Sequence, residues 1–115
     1  MAKSNKPIVW GLFAAGGTIT AFITPIMIFV TALAVPLGII SPDALAYDRV
    51  HALLDHWFWK LVMFAFISLS LWHAAHRLRI TAHDFGMRSD GTVSVIVYTL
   101  AALGTVASAV YLLQI

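Results

Sequence analysis

The chain has 115 residues, 61% of them hydrophobic and only 10% charged, and its mean hydropathy of +0.91 lies far outside the range of water-soluble globular domains. That length leaves no room for a soluble core beside a membrane region, so the reading is a single all-α membrane domain over 1–115. The absence of cysteine excludes disulfides, thiolate metal sites and iron–sulfur ligation by this chain, and a net charge of +2 is no electrostatic footprint for nucleic acid.

In chain order, no charge occurs between Lys6 and Asp43, and the run over 9–35 exceeds the roughly 20 residues that cross a bilayer. It is the first predicted span. Pro25 lies inside it and predicts a kink or a local opening of the helix. Lys3, Lys6, the apolar run and Ala32-Leu33-Ala34 together imitate a secretory leader with its cleavage site. The run is longer than the roughly 7 to 15 apolar residues of such leaders, so a retained span is the reading kept.

The first loop, "SPDALAYDRV", places Ser41 as an N-cap, Pro42 at the first helical position and Asp43 in the first turn. These predict a short interfacial helix over 42–50. A second span follows over 54–77, with Trp57 and Trp59 at the interface and Lys60 near the outer end, where its long side chain can snorkel. A third, with no charge at all, fills 92–113.

Three spans put the termini on opposite sides. Lys3, Lys6, Arg77, Arg79 and Arg88 fall on one side, against Arg49 and Lys60 on the other. The positive-inside rule therefore makes the amino terminus cytoplasmic and the carboxyl terminus periplasmic. Gly17 and Ala21, Ala101 and Thr105, Thr105 and Ala109, and Gly104 and Ser108 are each four apart. That spacing suits close helix approach, and equally the ordinary small-residue content of membrane helices. Three short helices enclose little interior, which points to a second membrane protein completing the bundle.

Ionisable groups gather in "LWHAAHRLRITAHD", residues 71–84, which holds three of the five histidines. With the second span centred near Phe66, His73 lies roughly 10 Å and His76 and Arg77 roughly 15 Å toward the cytoplasmic face at 1.5 Å per residue. His73 and His76, three apart on one face, have the spacing of haem or metal ligands. The interior positions 61–72 hold no histidine, however, and Asp84 is the only nearby carboxylate. Haem and zinc are therefore disfavoured.

Trp10, in "PIVWGLF", opens the first span on the same side as His76 and Arg77. An indole donor, a guanidinium and an imidazole together suit a quinone head group, with its two acceptor oxygens and two exchangeable protons. Ordinary interfacial tryptophan and positive-inside arginine remain the competing account of the same residues.

The motifs "PIVWGLFAAGG", "PLGIISPDALAYDRV" and "LWHAAHRLRITAHDFGM", in this order and spacing, resemble the D-subunit family of bacterial quinol:fumarate reductases, small hydrophobic membrane anchors. The resemblance runs from Lys6 to Ile115 and implies a four-subunit complex of the bacterial inner membrane. A flavoprotein (A) carrying FAD, an iron–sulfur protein (B) and a second hydrophobic anchor (C) would be the partners, beside membrane lipid. It also implies menaquinol oxidation in anaerobic respiration, no haem in this chain, and quinone-binding roles for Trp10, His76 and Arg77. The isolated chain would not be catalytic.

Two features depart from or extend that pattern. Leu78, Arg79 and Ile80 stand where members of the family often carry further histidines, which leaves an extended histidine relay without support. Asp55 and His56, in "LLDHWFW", lie where a second, outer quinone would sit; they read as an exposed loop carboxylate and imidazole, and no outer site is assigned. A purely structural anchor remains the alternative function. A proton-coupled exporter is disfavoured, because all five carboxylates lie at or outside the span ends.

Overall fold

The computed structural model describes residues 4–115; Lys3, counted above among the orienting charges, lies outside them. Among the described residues every regular element is helical. Helix α1 spans Lys6–Ile28 and continues as a π-helical segment, Phe29–Ala34. After a 3-10 turn at Pro42–Leu45 come α2 (Tyr47–Asp55), α3 (Trp57–Asp84) and α4 (Asp90–Gln114). Three stretches are long and apolar enough to cross a membrane: Lys6–Ala34, Trp57–Asp84 and Asp90–Gln114. The chain is a multi-pass membrane protein.

Local chemistry accounts for most of the boundaries. The Asn5 carbonyl accepts from the N–H groups of Ile8 and Val9 at 3.1 and 3.2 Å. Pro7 occupies the first turn, where a missing N–H costs nothing. Pro25 cannot donate to the turn before it, and four residues later the winding widens into the π segment. The opening predicted at Pro25 takes this form. There the Thr31 hydroxyl donates to the Met27 carbonyl at 2.8 Å.

Ser41 Oγ accepts from the Asp43 N–H at 3.3 Å. The loop helix differs from the expected 42–50 segment: extended backbone at Ala46, with ψ of 143°, divides it. Its second part, α2, runs on to Asp55 and takes in residues expected to begin the second span. At His56 the chain turns again, with ψ of 128°, and the ring Nδ1 accepts from the Phe58 N–H at 3.2 Å. Helix α3 therefore starts at Trp57.

It also ends later than expected, at Asp84. The charges at Arg77 and Arg79 end an apolar run, which is a different event from ending a helix. The stop is set by a Schellman motif, in which Gly86 (φ +86°) donates to His83 O at 2.9 Å and Met87 donates to Ala82 O at 3.1 Å. Only glycine takes that left-handed backbone at little cost.

Helix α3 is central, flanked by α1 and α4, which share no substantial contact with each other among the described residues. The result is a slab of 53 × 31 × 23 Å. The helices meet through small residues, as association in lipid favours. A Cβ at Gly16 would overlap the Leu69 carbonyl oxygen and lie 3.0 Å from His73 Cβ, so α1 and α3 touch backbone to backbone there. The close approach is thus centred one residue before the expected Gly17, and Ala21 is exposed.

Ala75 and Ala101 are buried on the α3 and α4 sides of the other seam. Hydroxyls tie both seams. Thr20 Oγ1 and Ser70 Oγ lie 2.8 Å apart between α1 and α3. Trp72 Nε1 donates to Thr105 Oγ1 at 3.1 Å, while that hydroxyl donates to the Ala101 carbonyl at 2.8 Å.

Candidate functional site

The start of α1 and the last third of α3 lie at the same end of the slab, and their side chains meet there. Trp10 and Phe13, three apart and so on one helix face, both reach the His76 ring. The Trp10 and His76 centroids are 6.2 Å apart and the Phe13 and His76 centroids 4.8 Å apart, both edge to face. Trp10 also packs edge to face on Phe13 at 5.6 Å. Trp10 is 59% exposed, and its indole N–H has no hydrogen-bond partner among the described residues.

One turn earlier, the His73 ring stacks on Phe13 at 4.3 Å with 19° between planes. Its Nδ1 lies 3.0 Å from the Phe13 carbonyl oxygen. A carbonyl can only accept, so His73 Nδ1 must carry the proton. Gly17 lies against the same ring, where a Cβ would sit 2.6 Å from Cε1. His73 is thereby enclosed between α1 and α3, and it fastens them. No group of three or more His, Asp or Glu side chains able to hold a metal occurs among the described residues.

His76 faces both neighbours. Its Nδ1 is 2.9 Å from the Tyr98 hydroxyl on α4. Tyr98 in turn stacks on Trp72 at 6.0 Å and 22°, the tryptophan held by Thr105. Arg79 completes this side with a bidentate pair to Asp90: Nε to Oδ1 at 2.8 Å and Nη2 to Oδ2 at 2.5 Å. With the two side chains 35% and 45% exposed, solvent screens this pair, and it serves chiefly to set the register of α4 on α3.

Arg77 is adjacent to His76 in sequence but about 100° further round the helix. It is exposed and has no hydrogen bond or ion pair among the described residues. Of the three residues singled out from the sequence, the structure brings Trp10 and His76 into contact and places Arg77 on a neighbouring face. At the other end of the slab, Asp55 pairs with Lys60 at 3.8 Å and His56 caps α3, so both have local structural roles.

Sequence reasoning missed Phe13 and Tyr98. The signal for Phe13 was present in its spacing from Trp10. Tyr98 carried a weaker one, a polar aromatic within the uncharged third span, and its partner depended on the register of α4.

A profile of the fumarate reductase D-subunit family matches residues 1–113. The chain is 39% identical over 113 residues to the fumarate reductase D subunit of Aliivibrio fischeri (strain MJ11), covering 98% of this chain and 94% of that one. The corresponding protein of Aliivibrio salmonicida is 38% identical with the same coverage. That of Vibrio cholerae is 33% identical, over 98% of this chain and 87% of its own length. Matches of this extent span the three membrane helices and the residues of the candidate site, and the chain belongs to the D-subunit family of fumarate reductases.

Proposed function

We propose that this chain anchors a fumarate reductase complex in the bacterial inner membrane and supplies part of a menaquinol site at its cytoplasmic end. The partners in this reading are the flavoprotein with FAD, the iron–sulfur protein and a second hydrophobic anchor lying on a flat face of the slab. In this reading the amino terminus and the α3–α4 turn face the cytoplasm, which the Lys and Arg distribution supports.

One observation carries the proposal. Trp10 and His76, from two different helices, touch at one end of the slab and present polar atoms that no described residue engages. A quinol supplies two electrons and two protons to such a complex. The residues of this chain place it and handle charge. The Trp10 N–H donates to a head-group oxygen, His76 Nε2 accepts a proton, and Arg77, from the adjoining face, favours negative charge developing on oxygen. The redox cofactors belong to the partner proteins of the complex.

The test uses membranes containing the assembled complex. His76→Ala lowers menaquinol-driven fumarate reduction by roughly 100-fold, and Trp10→Phe by roughly tenfold, the value of one hydrogen bond. Fumarate reduction by a reduced viologen, which bypasses the quinol, stays at the parent rate. Normal quinol turnover in both variants would leave the chain as an anchor alone, and equal loss of both activities would mark an assembly defect.

A further inference from the structure

We infer that Tyr98 is the positioning residue of this site, its hydroxyl orienting the His76 ring through Nδ1 so that Nε2 faces the bound quinol. The inference rests on the site proposed above and adds a residue on α4 to the α1 and α3 residues already in it.

The surroundings of His76 leave Tyr98 as its sole polar partner among the described residues. From α1 the ring meets Trp10 and Phe13 in T-shaped contacts that restrict its tilt and include no hydrogen bond. From α4 it meets the Tyr98 oxygen at 2.9 Å on Nδ1. The imidazole nitrogens lie on opposite sides of the ring, so engaging Nδ1 directs Nε2 away from α4.

Tyr98 is itself held firmly. Its ring lies nearly parallel to Trp72, and the Trp72 indole is tied to Thr105.

The hydroxyl also suits the chemistry. Its oxygen can accept from Nδ1–H both before and after the ring takes up a proton. When Tyr98 accepts from Nδ1–H, the Nε2 lone pair points outward as a base. Breaking a quinol O–H bond then forms the Nε2–H bond, the bonding pair stays on the quinol oxygen, and the imidazolium keeps its Nδ1–H on Tyr98.

Tyr98→Phe keeps the ring and its stacking on Trp72 and removes only the oxygen. In the assembled complex, with a short-chain naphthoquinol as donor, it should lower kcat roughly tenfold by misorienting the base. KM and viologen-driven fumarate reduction should hold within twofold. Added to His76→Ala, it should slow turnover no further, because it acts through that ring. A parent-like kcat in Tyr98→Phe, a change confined to KM, or a multiplied loss in the double variant would each overturn the inference. If His76→Ala itself turns over quinol normally, the site and the inference fall together. If His76→Ala is slow and Tyr98→Phe is not, the inference alone falls.

Discussion

His73 and His76 stand one turn apart on α3, and each offers Nδ1 to an oxygen about 3 Å away, yet their surroundings differ in kind. The His73 partner is a backbone carbonyl, which accepts and never donates. The ring is stacked on Phe13 with Gly17 against it, and the carbonyl keeps a proton on Nδ1. The His76 partner is a phenol on α4, and the ring makes T-shaped contacts with Trp10 and Phe13 in place of a stack. The same side chain, moved by three residues, fastens α1 to α3 in one place and is the proposed base in the other. What a histidine does here depends on what packs around the ring as much as on the atom that holds Nδ1.

The most disruptive way to break this contrast is at the fastened side. Gly16→Leu would drive a side chain into the Leu69 carbonyl, which cannot move aside within its helix. Overpacking of this kind costs about 3 kcal/mol. Little complex should then be recovered in mild detergent, with quinol and viologen activities lost in parallel.

Next in size is His73→Ala, which abandons one interhelix hydrogen bond and the stacking on Phe13, about 2 kcal/mol together. Thermal release of the subunits should occur earlier, and both activities should decline by the same factor. A selective loss of quinol turnover in this variant would erase the distinction between the two histidines.

Thr105→Val removes the acceptor for the Trp72 indole and loosens the shelf beneath Tyr98. The cost is about 1 kcal/mol, and quinol turnover should drop roughly threefold with viologen turnover unchanged. The smallest effect is expected from Asp90→Asn, which weakens an exposed, solvent-screened pair. Its quinol kcat should stay within twofold of the parent, and a larger drop would move Asp90 from register setting into the site itself.

Much of this arrangement was legible in the residues alone. The three spans follow from long, predominantly apolar runs, and the shared depth of Trp10 and His76 follows from counting residues inward from the membrane edge. What stayed hidden depended on relations between helices. His73 looked like half of a ligand pair because its true partner, the Phe13 carbonyl, is backbone and leaves no mark in side-chain pattern. Arg77 looked inseparable from His76, since adjacency in sequence conceals the 100° turn between consecutive positions. Tyr98 became visible only once the Arg79–Asp90 pair and the Gly86 turn had set α4 against α3. The overrun of α3 to Asp84 was missed because hydropathy reports the edge of the lipid, whereas a glycine reports the end of the helix.

The slab is only 23 Å through its thinnest dimension, and its buried apolar side chains among the described residues are Ala34, Ala75, Ala101 and Leu112. Separating its helices within lipid would hydrate almost no new hydrocarbon. The heat-capacity increment that curves the stability of water-soluble proteins is therefore nearly absent here. Its melting should be shallow and broad in a calorimeter, with a midpoint that moves with the concentration of whatever proteins lie on its flat faces.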